Sequence, residues 1–394
     1  MYKLQNTVQH YDWGCPKSLS EHFAIKNPQN KPMAELWMGA HPSASSKILV
    51  DGQWCSLLEE INANPDHYIG DKLFNRYNGL PFLFKVLASA QPLSIQVHPD
   101  LHTAREGFNR ENELNIPMTS PFRNYKDANH KPELIYALTP FSAMNGFRPL
   151  AEIAALLSQI DSGLESVKHF VLSPSEDLLG VIFNELLMLS GSEKCREIEN
   201  LNNSILKLHG SPWNEIKAIA EFWKEDAGLF MPLLLNVIHL EPGQAMFLDS
   251  CTPHAYLKGL GLEVMANSDN VLRAGLTNKH IDVDELIKNV NFISQEKSEL
   301  VAKFTGNDVE RKYFIPVEDF SFSIINVEKE FRYDNKGFPS IILCTEGELL
   351  VESSSVSINI ERGDSLFIPA ASDCLFVTGK GNLAIASVEK NTLL

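Results

Sequence analysis

The hydrophobic period of this chain changes twice, and that change constrains its fold more than any single motif. From residue 1 to about 148, apolar residues fall in short strand-length runs punctuated by Pro and Gly. Residues 81–88 and 132–138 read as buried strands, and 93–98 alternate, with Leu93, Ile95 and Val97 on one face and Ser94, Gln96 and His98 on the other. From 149 to 228 the spacing becomes helical: Leu150, Ile153, Leu157 and Ile160 recur, as do Ile182, Leu186 and Leu189. Ser211 and Pro212 read as an N-cap and first-turn proline ahead of a Trp213, Ile216, Ala220 and Trp223 stripe. Strand patterning resumes at 233–238 and 261–266, a short helix is expected over 282–289, and the last third is rich in Val, Ile and Phe. The expected fold is mainly β with a helical insertion.

The second β region contains an echo. Residues 241–248, from Glu241 through Gly243 to Leu248, match 361–368 at the same spacing, each a strand, a glycine turn and a strand. Two copies of one β-barrel unit would produce this pattern. Before the turn of the chain's middle, Gln96 and His98 lie two apart on a strand and share a face, which suits either a polar strand edge or a pair of metal ligands. Two further segments favour ligands. Glu133 stands at the entrance of a strand, and His254 follows the Pro-Gly hairpin that cupin barrels use before their last ligand. Two imidazoles, a carboxylate and an amide oxygen leave Zn²⁺ a net +1, so it keeps its Lewis acidity.

Charge narrows the partner. Lys and Arg number 34 against 50 Asp and Glu over 394 residues, a formal net of −16, which repels nucleic acid and anionic membranes. An anionic substrate therefore needs a local basic pocket. Cys15, Cys55, Cys195, Cys251, Cys344 and Cys374 are scattered with no C-x-x-C pair, which suits a reducing compartment. The start lacks the apolar core of a signal peptide, and no apolar run is long enough to span a bilayer, so a cytoplasmic chain is expected.

Residues 34–42, 81–87, 91–99, 130–133, 252–257 and 270–277 closely resemble the type I mannose-6-phosphate isomerases, in the family's order, with the last hundred residues weaker. The resemblance implies two cupin-type β-barrels (jelly rolls) plus an α-helical domain. It divides the chain into a catalytic barrel over 1–148 and 229–300, a helical insertion over 149–228 and a metal-free C-terminal barrel over 301–394. It implies reversible isomerisation of mannose 6-phosphate and fructose 6-phosphate through a cis-enediol, with one Zn²⁺ per chain on Gln96, His98, Glu133 and His254. Arg273 matches the family's active-site arginine, and Lys85, Ser94, His130, Lys131, Tyr256, Glu263 and Asp269 match positions around the cleft.

On chemical grounds Arg273 would stabilise enediolate charge, and Lys85, Lys131 and Arg273 would form the basic pocket for phosphate. The base is left open between Lys131, Glu263 and His130, with Asp269 and His130 expected to open the sugar ring. Trp13, Trp37 and Trp54 are expected in the core, although Trp13 could floor the sugar pocket, and His41 and His102 as surface or satisfied histidines. The expected partner is a small sugar phosphate bound by a monomer. Two other readings keep the fold: a cupin iron oxygenase on His98, Glu133 and His254, and a silent sugar-binding cupin.

Overall fold

The computed structural model describes residues 1–388, of which the strands arrange in a ten-stranded and an eleven-stranded sheet. Strand and helix account for 31% and 28% of the chain, so the fold is less β-dominated than the patterning predicts. The difference lies in the first 148 residues, where helices at Leu57–Ala63, Asp71–Tyr77 and Leu101–Glu113 interrupt the strands. The last of these starts where the Asp100 side chain accepts from Thr103 N–H, an N-cap that the strand reading passed over. At the other predicted cap the structure also differs. Pro212, not Ser211, occupies the N-cap of Trp213–Ala220.

The first sheet is built on period-two alternation. In Phe82–Ser89, Phe82, Phe84, Val86 and Ala88 enter one core, while Leu83, Lys85 and Leu87 turn to the other side. Glu133–Ala137 does the same, with Leu134 and Tyr136 outward and Glu133, Ile135 and Ala137 inward. The outward core is shared with Phe320, Phe322, Ile341 and Leu343, so the back of the first sheet is the floor on which the C-terminal sheet rests.

The helices between Leu150 and Ala220 cover a different face. Ile95 and Val97, fully buried, pack with Phe147, Ile153, Phe170, Ile182 and Phe183. Ala255 and Leu257 join the same cluster. Their neighbours Gln96, His98, His254 and Tyr256 consequently point the other way, into the sheet's interior. Leu93 departs from the predicted alternation: it packs against the Trp13 and Tyr256 cluster rather than with Ile95.

The strand His254–Ala266 carries one irregularity of consequence. Its pairing with Phe141–Phe147 shifts register between Tyr256 and Lys258, and Gly259 sits at φ 140°. A bulge inserts one residue and reverses the facing of everything beyond it. His254, Tyr256 and Glu263 therefore all face inward although simple alternation sets Glu263 on the opposite face.

The echo is visible as matching turns. Gln244 N–H donates to Glu241 O and Asp364 N–H to Glu361 O, both at 2.9 Å. The side chains of Gln244 and Asp364 accept from the N–H of Glu241 and Glu361 in turn, and Gly243 and Gly363 adopt φ 92° and 97°. Each turn leads to a four-residue strand and then to one of thirteen residues, His254–Ala266 and Leu375–Ser387. Trp54, expected in the core, is instead exposed on the strand Gln53–Ser56.

Candidate metal centre and its cleft

Among the described residues, His98, Glu133 and His254 are the one such group of side chains whose ligand atoms lie within 4.8 Å of one another. All three are buried. The Nδ1 atoms of His98 and His254 face the carbonyls of Asn270 and Thr252 at 2.7 and 2.9 Å. A carbonyl only accepts, so each imidazole carries its proton on Nδ1 and presents the Nε2 lone pair. These Nε2 atoms sit 3.4 and 3.6 Å from the two Glu133 oxygens.

His98 Nε2 has no hydrogen-bond partner despite full burial, a cost that a bound cation would remove. Burial, then the Lys131 ammonium, push the His98 imidazole down to about 4, and burial lowers His254 too. Both are neutral near pH 7, as metal ligands must be. Burial alone would raise Glu133, but the Lys131 ammonium, 3.1 Å away, holds it well below the usual carboxylate range.

Gln96 pairs in register with His254 on one side and Arg273 on the other. Its amide nitrogen donates to Ser94 Oγ at 3.4 Å, leaving the amide oxygen as a donor for a metal. The donor set is therefore neutral imidazole, carboxylate and amide oxygen, which suits Zn²⁺.

Beside this centre lies a cleft lined by Gln96, Lys131, Glu133, His254, Tyr256 and Glu263. Lys85 opposes Glu263 directly across the pairing, and its Nζ donates to Glu263 Oε2 at 2.8 Å and lies 3.8 Å from Glu35. Trp37 Nε1 donates to Glu35 at 2.6 Å, and Tyr256 Oη to Glu263 Oε1 at 2.8 Å. Burial would lower the Lys85 ammonium, yet Glu263, Glu35 and Glu133 raise it. Burial together with Glu133 and Glu35 pushes Glu263 up against the opposing pull of Lys85. Lys85, which also lines the cleft, is thus one member of a buried charge network with Glu263 and Glu35. Glu35 is the network residue that sequence reasoning missed, because its signal is only its register opposite Leu87.

The Arg273 side chain has no ion pair or hydrogen bond among the described residues, and burial lowers its guanidinium. Burial, then Arg123 and more weakly Arg273, lower Lys126, and burial then Arg273 lower Lys279, so the Arg273 guanidinium is felt by both ammonium groups. Lys279, six residues beyond Arg273, was legible in the sequence but not singled out. Ser94 Oγ accepts from the Gln96 amide, and Trp13 packs beside Leu93 against the Tyr256 cluster and stacks on Tyr11.

Asp269 and His130 have different side-chain partners. His130 Nε2 lies 3.0 Å from both oxygens of Asp319. Asp269 instead faces His41, whose Nε2 is 3.4 Å away, and His41, buried and partnered by Ser43 N–H and Asp269, is a satisfied histidine. His102 is exposed on its helix.

Residues 1–150 match the family described as phosphomannose isomerase type I, catalytic domain, and 310–388 match the mannose-6-phosphate isomerase cupin domain. The chain is 46% identical to mannose-6-phosphate isomerase of Escherichia coli strain K12, covering 98% of each chain. It is 34% identical to the human mannose-6-phosphate isomerase, covering 94% of this chain and 93% of that one. A crystal structure of zinc-bound mannose 6-phosphate isomerase superposes at a TM-score of 0.95, with 45% identity over 98% of this chain and 99% of that one. A point mutant of phosphomannose isomerase from Salmonella typhimurium gives 0.96, with 45% identity and 99% of each chain covered. Likeness of this extent spans the whole fold and not the metal centre alone, and the chain belongs to the type I phosphomannose isomerase family.

Proposed function

We propose that the cleft interconverts mannose 6-phosphate and fructose 6-phosphate with one zinc ion held by Gln96, His98, Glu133 and His254. The observation that carries this reading is the trio of buried ligand atoms within 4.8 Å, with His98 Nε2 unpartnered. Zinc, when bound, supplies a Lewis acid for the substrate's carbonyl and hydroxyl oxygens.

The chain's own groups supply the remainder. Proton transfer between C1 and C2 through a cis-enediol needs a group in reach of both carbons. Lys131, 3.1 Å from Glu133, and Glu263, raised by burial, are the candidates that line the cleft. His130 is turned to Asp319 and is the weaker one. Arg273, free of a carboxylate partner, stabilises enediolate charge, and with Lys279 and Lys126 it forms the cationic mouth that a phosphate requires in an acidic protein. Tyr256 orients Glu263, Lys85 balances it, and Ser94 and Trp13 border the sugar.

Three regions follow: a metal-bearing barrel from 1–148 and 229–300, a helical insertion over 149–228, and a second cupin-like barrel from 301 that carries no metal. The helical cluster centred on Phe170 and Phe183, and the separate apolar cluster of Ile325, Ile342, Leu366, Leu375 and Leu383, support this division. Six free cysteines and the absence, among the described residues, of a helix able to cross a membrane accord with the cytoplasm as the site of action.

A coupled assay with mannose 6-phosphate tests the reading. Turnover should vanish on chelation and return with Zn²⁺, and a zinc-loaded protein without turnover would refute it.

A further inference from the structure

A cavity of about 450 Å³ lies on the far side of the strand Glu133–Ala137 from the metal centre. Tyr136 lines it, whereas Glu133 on the same strand turns inward to the other ligands. Its remaining walls are His22 and Phe23, at the end of the helix Ser18–Phe23, and the C-terminal sheet. A space of this size, where two layers of the fold meet, holds a small metabolite.

Two features of the C-terminal sheet shape this cavity. In the turn 361–364, which echoes 241–244, Arg362 stands where the first turn has Pro242. A Cβ at Gly363 would lie 2.5 Å from the Phe23 carbonyl oxygen, so glycine lets the turn sit on the helix end and brings Arg362 to the cavity. The strand Ser340–Glu352 is irregular between Cys344 and Glu346 in its pairing with Leu375–Ser387. That bulge gives the cavity wall two successive side chains, Thr345 and Glu346, where regular alternation would give one.

The lining divides by chemistry. Arg311 and Arg362 bring two guanidiniums to one cavity of a chain whose net charge is −16. The Arg362 side chain has no ion pair or hydrogen bond among the described residues. Arg311 reaches Asp308 at 3.9 Å, but that carboxylate is fully exposed, and the guanidinium also rests over the Phe304 ring at 5.3 Å. Burial raises the Tyr136 phenol while Arg311 opposes the rise, so the guanidinium acts on the cavity wall. Glu346 Oε2 accepts from Asn382 Nδ2 at 2.9 Å. Its second oxygen and the Asn326 amide have no hydrogen bond among the described residues and remain able to read hydroxyl groups. Phe23, Tyr136 and Ile324 supply apolar surface for the carbon skeleton.

We propose that this cavity is a second sugar-phosphate site, with Arg311 and Arg362 on the phosphate and Glu346 and Asn326 on the hydroxyls. Guanidinium forks match phosphate oxygens two at a time, which a lone ammonium does not. The carboxylates of Asp308 and Glu346 oppose a ligand that is charge alone, so a phosphorylated polyol binds better than inorganic phosphate. The cavity shares no residue with the catalytic cleft, although the ligand class is the same. The site does not depend on the isomerase reading.

Titration calorimetry of the zinc-loaded full chain with glucitol 6-phosphate tests this, because that probe has no carbonyl to isomerise. Two molecules should bind per chain. In the double variant Arg311→Gln, Arg362→Gln one should remain, the lost site weakening by about tenfold or more. Both arginines are exposed, so unfolding temperature should hold and kcat/KM at low substrate should stay within about twofold. Inorganic phosphate should occupy the arginine-dependent site about tenfold more weakly than the probe. One molecule per chain in the wild type overturns the proposal, as do two in the double variant or equal affinity for inorganic phosphate. A joint fall of kcat/KM and unfolding temperature in the double variant would assign the arginines to the fold and overturn it as well. A protein that keeps the arginine-dependent site without turnover would fail the isomerase reading and leave this one standing.

Discussion

Side chains around the metal centre divide into those with partners and those without, and that difference predicts what each substitution does. Lys85 lies between Glu263 and Glu35, buried in a network that also holds Tyr256 and Trp37. Removing one member of a buried ion pair strands the other charges, so Lys85→Met should cost roughly 3–5 kcal/mol of stability as well as activity. Thermal unfolding checks this, and an unchanged midpoint would show the network to be hydrated. Arg273 is the opposite case, with no partner among the described residues to strand. Arg273→Ala should reduce kcat by about a hundredfold or more at nearly unchanged stability. Near-normal kcat in a folded variant would remove Arg273 from the catalytic group.

Strand geometry decides which of these residues can meet. The bulge near Tyr256 and Lys258 keeps Glu263 on the same face as His254, and Gly259 makes it possible. A Cβ at Gly259 would stand 2.5 Å from Phe141 Cδ2 and 2.9 Å from Phe141 Cα, at a φ of 140° that other residues rarely adopt. Gly259→Ala should therefore cost at least about 1–3 kcal/mol from backbone strain alone. Because the strand can escape by losing its bulge, activity should fall further than stability does. Parallel measurement of unfolding and turnover separates the two, and a fully active variant would show that the bulge tolerates a side chain.

At the scale of the molecule, the two sheets exchange material. Tyr2–Gln5 pairs with Ser365–Ile368 in the C-terminal sheet, Tyr2 opposite Phe367 and Lys3 opposite Leu366, and on its other edge with Lys47–Val50. Leu4 is buried in the core between the sheets. Deleting residues 1–5 should destabilise by roughly 2–5 kcal/mol through Leu4 alone and expose two strand edges to aggregation. Differential scanning calorimetry and light scattering would read both effects, and an unaltered, monodisperse protein would contradict them. The echo sets Cys374 against His254, so metal content tests the second barrel. Cys374 is half-buried, and its Sγ accepts from Arg332 Nε at 2.9 Å. Purified protein should hold about one zinc per chain. Two per chain, with one lost in Cys374→Ala, would assign a metal to that barrel.

Residue type and short-range spacing carried much of this. Alternation at Ile95–His98 set ligands against core, and the Pro-Gly turn before His254 and its echo at Glu361 were legible because a turn's hydrogen bonds close within four residues. The change to helical spacing after residue 149 was legible for the same reason. Tertiary structure alone decided what depends on contacts far apart in sequence. Nothing near His41 in the chain signals Asp269, which lies on another element, and nothing near Lys85 signals that Glu35 and Glu263 neutralise it. The bulge that turns Glu263 inward, the Asn270 and Thr252 carbonyls that fix the ligand tautomers, and the first strand's place in the last sheet are set by packing between distant segments. The sequence supplied the chemistry of each side chain, and the folded sheets determined which of those side chains are partners, because burial makes an unpaired charge too costly to leave alone.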